Sequence, residues 1–164
     1  MRHLRFLTLV TLVASMSLAN APAGRGADDA PPDWRLPAAG ASVLGPFEAP
    51  AHEYGPGHRG IDIGPADGAV HAPAAGVVAF AGTVVDRGIV TIDHGGGWVT
   101  SVEPVAATVT VGDVVSAGDP IGELSQGGHS LSGTLHVGVR HDGEYVNPLL
   151  LLGRVPRAIL LPCC

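Results

Sequence analysis

Gly88-Ile89-Val90-Thr91-Ile92-Asp93-His94-Gly95-Gly96-Gly97-Trp98-Val99-Thr100-Ser101-Val102-Glu103 reads as two strands joined by a hairpin. The runs Gly88–His94 and Trp98–Glu103 are rich in β-branched residues, which favour a pleated, half-buried surface. Between them, Asp93-His94-Gly95-Gly96-Gly97 supplies the residues that tolerate the positive φ of a tight turn. The same alternation of apolar run and glycine turn predicts strands over Gly76–Thr83, Pro120–Leu124, Gly133–Arg140 and Glu144–Val146. Asp142-Gly143 is a second hairpin turn, between Val139 and Tyr145. No segment sustains a helical apolar period for more than two turns. The chain is therefore expected to be all-β, with antiparallel pairing forced by the short connections.

A weak internal echo refines this. Ala74-Ala75-Gly76-Val77-Val78 and Ser116-Ala117-Gly118-Asp119-Pro120-Ile121-Gly122 both pass from small residues through glycine into an apolar strand. Paired units of this kind suit a folded-over antiparallel β-sandwich of the duplicated hybrid motif type. Biotinyl and lipoyl carrier domains share the rhythm, but carriage needs a modifiable lysine and the chain contains none.

Residues 1–23 read as an export signal: Arg2 and Arg5, an apolar core from Phe6 to Leu18, then small residues with cleavage expected after Ala23. The apolar run is shorter than the ~20 residues a spanning helix needs, so a secreted or cell-envelope location is expected. Residues 24–33 are a polar, Pro- and Gly-broken linker, residues 34–150 the β domain, and residues 151–164 a C-terminal tail. From Trp34 to Phe47 apolar residues punctuated by prolines suggest an extended arm laid against the domain. Without residues 1–23, seven arginines face fifteen acids, a net charge near −8. That balance excludes nucleic acid and anionic membrane as partners, since both attract a cationic face. Cys163 and Cys164 are adjacent and form no Cys-x-x-Cys motif.

Chemistry gathers in two places. Gly57-His58-Arg59-Gly60-Ile61-Asp62-Ile63-Gly64 carries an imidazole and a carboxylate four residues apart, in a glycine-rich turn leading into a strand. In Thr134-Leu135-His136-Val137-Gly138-Val139-Arg140, strand alternation sends Leu135, Val137 and Val139 to the core and His136 to the other face. Two nitrogens, one oxygen and an open fourth position hold a catalytic zinc in many hydrolases. An isolated strand histidine is equally compatible with an exposed or hydrogen-bonded side chain.

These pieces resemble the core of the lysostaphin-type (LytM-like) zinc metalloendopeptidases of peptidoglycan, as a divergent member. Val70-His71-Ala72-Pro73-Ala74-Ala75-Gly76-Val77-Val78, Val90-Thr91-Ile92-Asp93-His94-Gly95, Val111–Gly122 and Leu135-His136 follow the glycine-flanked His58 and Asp62 in the family's order. The resemblance runs from about Phe47 to Leu150. It implies zinc held by His58, Asp62 and His136, and a peptidoglycan peptide as substrate. Where the family carries two further histidines for proton transfer, this chain has Thr134 and Pro104. Neither can take a proton near neutral pH. Glu103 and His129 are the candidate surrogates, although alternation is expected to turn Glu103 away from the face of residue 104. A second expectation follows from those replacements: an impaired relative that binds peptidoglycan or a partner cell-wall hydrolase.

Overall fold

A computed structural model describes residues 33–52, 54–64, 68–128 and 133–152. The expected export segment, Cys163, Cys164 and His129 lie outside these residues. Among the described residues the chain forms eleven strands and one short helix. They are β1 (Ser42–Gly45), β2 (Ile61–Gly64), β3 (Ala69–His71), β4 (Gly76–Val84), β5 (Arg87–Asp93), β6 (Trp98–Glu103), β7 (Val105–Ala107), β8 (Val114–Val115), β9 (Pro120–Leu124), β10 (Leu135–His141), β11 (Glu144–Val146) and α1 (Pro148–Leu151).

The strands make two antiparallel sheets. The larger has the order β1-β2-β10-β6-β5-β4-β8, and the smaller is β3-β9-β7. β10 is the centre of the large sheet in a particular way. On one edge it pairs with β6 from His136 to His141. On the other it meets β2 at Leu135–Val137 and β11 at Val139–His141.

Period-2 burial drives the layering. Ile61, Ile63, Val78, Val90, Ile92, Val102, Leu135 and Val137 turn one face of the large sheet inward. Val70, Ile121 and Val105, one from each strand of the small sheet, meet them in the same core. Removing this apolar surface from water is the main favourable term holding the two layers together. The result is the expected folded-over sandwich. The opposite face of the large sheet is not covered by the small sheet.

Both turns adopt the geometry their residues suggest. Gly95, Gly96 and Gly97 all have positive φ, and His94 N donates to Trp98 O at 2.9 Å. Asp142 and Gly143 have φ of 51° and 87°, the two positive values of a type I′ hairpin. The internal echo appears as mutual hydrogen bonding: Ala72 N donates to Asp119 O and Gly118 N to Ala72 O, while Val78 N donates to Asp113 O and Gly112 N to Val78 O. Trp34 to Phe47 lies along the domain, with Arg35 N bonded to Pro73 O and His71 N to Pro37 O. α1 is capped by Asn147, whose side chain accepts from Leu149 N, and packs Leu149 and Leu152 on the core. No helix among the described residues is long and apolar enough to cross a membrane.

Candidate metal centre

The register of β2 on β10 builds the centre. His136 stands directly opposite Asp62, both on the face away from the core. His58 precedes β2 in a loop held by a two-way backbone bridge: Glu48 N donates to His58 O, and His58 N to Glu48 O. The three side chains meet. His136 Nδ1 is 2.8 Å from Asp62 Oδ1, His58 Nε2 is 3.3 Å from the same oxygen, and the two nitrogens are 3.2 Å apart.

Those spacings fit one ion. Ligand atoms roughly 2.0–2.1 Å from a tetrahedral zinc lie about 3.3 Å from each other. The proton inventory points the same way. His58 Nδ1 donates to the Pro46 carbonyl at 2.6 Å, so the neutral ring presents the lone pair of Nε2 inward. That lone pair faces an anionic oxygen, an arrangement two acceptors resist unless a cation or a shared proton lies between them. The donor set and its outer hydrogen bond therefore suit a divalent metal.

Glycines clear the space. A Cβ on Gly60 would meet the Val137 carbonyl oxygen and come within 2.6 Å of His136 Nε2. One on Gly45 would come within 3.0 Å of Asp62 Oδ2. Sequence reasoning singled out the ligands and missed these two positions. Their only sequence signal is a glycine at or near a strand end, which has many other causes.

From His136, the one of the three that lines it, a cleft of about 400 Å³ runs across the open face of the large sheet. Its floor includes Gly138, Ser101 and Thr91, one end is apolar with Phe80, Val84 and Ile89, and Arg59, Arg140 and Tyr145 also line it. Glu103 lines it too, because β6 pairs Glu103 directly with His136. The expected orientation of Glu103, away from the site, is thus corrected. Strand β6 ends at Glu103, and the buried Pro104 starts the crossing to β7 in the other sheet, so Pro104 is no guide to the face. Glu103 ion-pairs with Arg87, Oε1 to Nε 3.0 Å. That carboxylate is the main influence raising the Arg87 pKa. Thr134 is buried two residues before His136.

The other described histidines do different work. His94 Nδ1 donates to Ala75 O at 2.8 Å, and its Nε2 accepts from the Thr100 hydroxyl at 2.8 Å. Burial lowers its pKa. His141 stacks on Trp98 at a ring separation of 4.1 Å.

The sequence pattern of peptidase family M23 matches residues 56–148, more than half of the chain and all three of these side chains. The chain belongs to peptidase family M23. Among curated proteins this M23 chain is similar to uncharacterized proteins of Mycobacterium bovis and Mycobacterium tuberculosis, 38% identical over 159 residues. It is covered over 93% of its length but spans only 63% of theirs. Among solved structures, the M23 fold is similar to a chain of the SpoIIIAH and SpoIIQ complex, with TM-score 0.62 and 23% identity over 71% of this chain and 98% of that one. It is similar also to a zinc containing peptidase from Vibrio cholerae, with TM-score 0.61 and 19% identity over 71% of this chain and 39% of that one. At such identities the structural likeness establishes the fold.

Proposed function

We propose that this M23 protein is an exported, zinc-dependent endopeptidase of bacterial cell-wall peptidoglycan peptides. The observation that carries the reading is the meeting of His58 Nε2, Asp62 Oδ1 and His136 Nδ1 beside an open cleft. When bound, zinc lowers the pKa of a water toward about 7 and polarises a scissile carbonyl. The chain's own residues supply the rest. Asp62 and the two imidazoles hold the ion, and Pro46 O keeps His58 in the tautomer that can do so. An extended peptide lies over Gly138, where the floor has no side chain. Glu103, across the ladder from His136, accepts the proton that the family passes to histidine. Residues 1–23 carry the export reading.

A second reading has its own observation. Arg87 holds the Glu103 carboxylate at 3.0 Å, and Thr134 and Pro104 stand where the family has proton-transferring histidines. In that reading the protein is an impaired relative that binds peptidoglycan or regulates a partner cell-wall hydrolase. The SpoIIIAH and SpoIIQ complex is a case of a similar fold in a protein assembly.

One experiment separates the two. The protein from Gly24 onward is assayed for zinc content and for release of peptide ends from peptidoglycan. The endopeptidase reading expects zinc and cleavage in the wild type, loss of both in His136→Ala, and retained zinc with cleavage lowered about 10²–10⁴-fold in Glu103→Gln. Zinc without cleavage in the wild type would transfer the case to the impaired relative.

A further inference from the structure

The apolar end of the cleft holds a phenylalanine that strand alternation alone would bury. Val78 on β4 is in the core, 1% exposed, and on an unbroken strand Phe80 would share its face. A β-bulge between Val78 and Phe80 breaks the register. Phe80 therefore turns to the open face, 38% exposed, while Ala81 packs on the core. Beyond the bulge the alternation is regular: Phe80 pairs with Thr91, Gly82 with Ile89 and Val84 with Arg87. A Cβ on Gly82 would come within 3.2 Å of Phe80 Cζ. The tip of the ring thus leans over the space that Gly82 leaves, opposite Ile89 and toward Val84.

The patch continues past the strand. Val84 is 41% exposed, and Val85 after it is 94% exposed with φ of 59°. A β-branched residue at positive φ is strained. Strain and contiguous exposed apolar surface mark binding surfaces rather than stabilising ones.

The occupant follows from what the patch adjoins. Phe80, Val84 and Ile89 line the same cleft as His136. Between them the small residues Gly138, Ser101 and Thr91 leave a path from β10 across β6 and β5 to β4. The charged side chains on this half of the cleft, Arg87 and Glu103, neutralise each other at 3.0 Å. A charged group arriving there would lose hydration without gaining a partner, whereas an apolar one gains by leaving water.

We infer that Phe80, Ile89 and Val84 form an apolar subsite for a large aliphatic or aromatic side chain of the peptide whose bond lies at the metal centre. This rests on the endopeptidase reading for the class of ligand, a peptide. β5 and β4 lie two and three strand spacings from β10, about 10 and 14 Å. At about 3.3 Å per residue of extended chain, the recognised side chain is three or four residues from that bond.

A peptide panel tests the subsite: a single Leu walked along an Ala-Gly sequence, the unsubstituted parent, and the same walk with Glu. Binding to the zinc-loaded protein is measured by calorimetry, with hydrolysis followed alongside. Leu at one position should bind about tenfold tighter than the parent, and Glu there no tighter. In Phe80→Ala the preference should fall to within about twofold, with zinc content unchanged. Val84→Thr keeps the side chain's shape but sets a hydroxyl in the patch, and should weaken the preference even if Phe80→Ala failed to fold. Equal binding across the panel, binding of none, or a preference that both variants retain overturns the subsite. So does self-association in light scattering that Phe80→Ala abolishes, since the patch would then join two copies of the chain. Selective binding without hydrolysis would remove the endopeptidase reading and keep the subsite, whereas hydrolysis with equal binding of the whole panel would do the reverse.

Discussion

Gly60 shows how much of a metal centre is carried by residues that never touch the ion. Its missing Cβ is the space occupied by the His136 ring and the Val137 carbonyl. In Gly60→Ala the crowding falls on backbone and on a ring pinned by its own strand, so little can yield. The expected cost is about 1–3 kcal/mol of stability. Competition with a chelator should also show zinc affinity at least tenfold weaker. Unchanged affinity would mean that the loop before β2 can move without the ligands noticing. At this scale the sequence was readable for His58, Asp62 and His136, because an imidazole and a carboxylate four apart and a histidine in an apolar strand are visible as letters. Gly60 and Gly45 were not, since close approach is a property of two segments brought together by strand pairing, Gly60 against His136 and Gly45 against Asp62. Glu103 was visible as a residue, but its direction depended on where β6 stops.

Strand β10 carries the site because its alternation serves two masters. Leu135 and Val137 are buried in the core, and between them His136 emerges on the cleft side. Leu135→Ala should cost about 2–5 kcal/mol through lost burial and the cavity left behind. Denaturant unfolding would show it as a lower midpoint with an unchanged slope, and a change below about 1 kcal/mol would place the strand outside the cooperative core. Long strands such as Trp98–Glu103 were legible to the residue, because six alternating positions and a glycine turn leave little freedom. β1, β7 and β8 were not. Each has only two to four residues. Pairing with a distant partner, rather than any local preference, makes them strands.

Across the whole molecule, His94 ties together parts that the chain keeps far apart. It bonds to Ala75 before β4 and to Thr100 on β6, and packs edge-on against Trp34 of the arm at 5.0 Å. Burial pushes its pKa down, partly opposed by donation to Ala75 and by the nearby Asp93 charge. The unfolded imidazole, near 6.5, therefore takes up a proton before the folded one. Above about pH 6.5 both states are neutral and His94 adds no pH dependence. As pH falls from there toward the folded value, the unfolded state binds more protons and stability declines. The thermal midpoint should accordingly drop more between pH 7 and pH 5 in the wild type than in His94→Gln. Parallel curves for the two proteins would contradict this account. The layered architecture itself was legible from strand rhythm and the internal echo, whereas the uncovered sheet face, and hence the cleft, was not. It depends on the small sheet having three strands against the larger one's eight.

One consequence of the strand order concerns time rather than space. β10 is among the last strands in the chain, yet it lies between β2 and β6. Until Leu135–His141 enters, β2 and β6 present bare edges toward each other, and the Asp62 and His136 that must face one another are 74 residues apart along the chain. Closing so long a loop is entropically slow and is rewarded only when both neighbours are in place. The metal centre is thus completed by the insertion that closes the sheet, and neither half of the chain holds it alone.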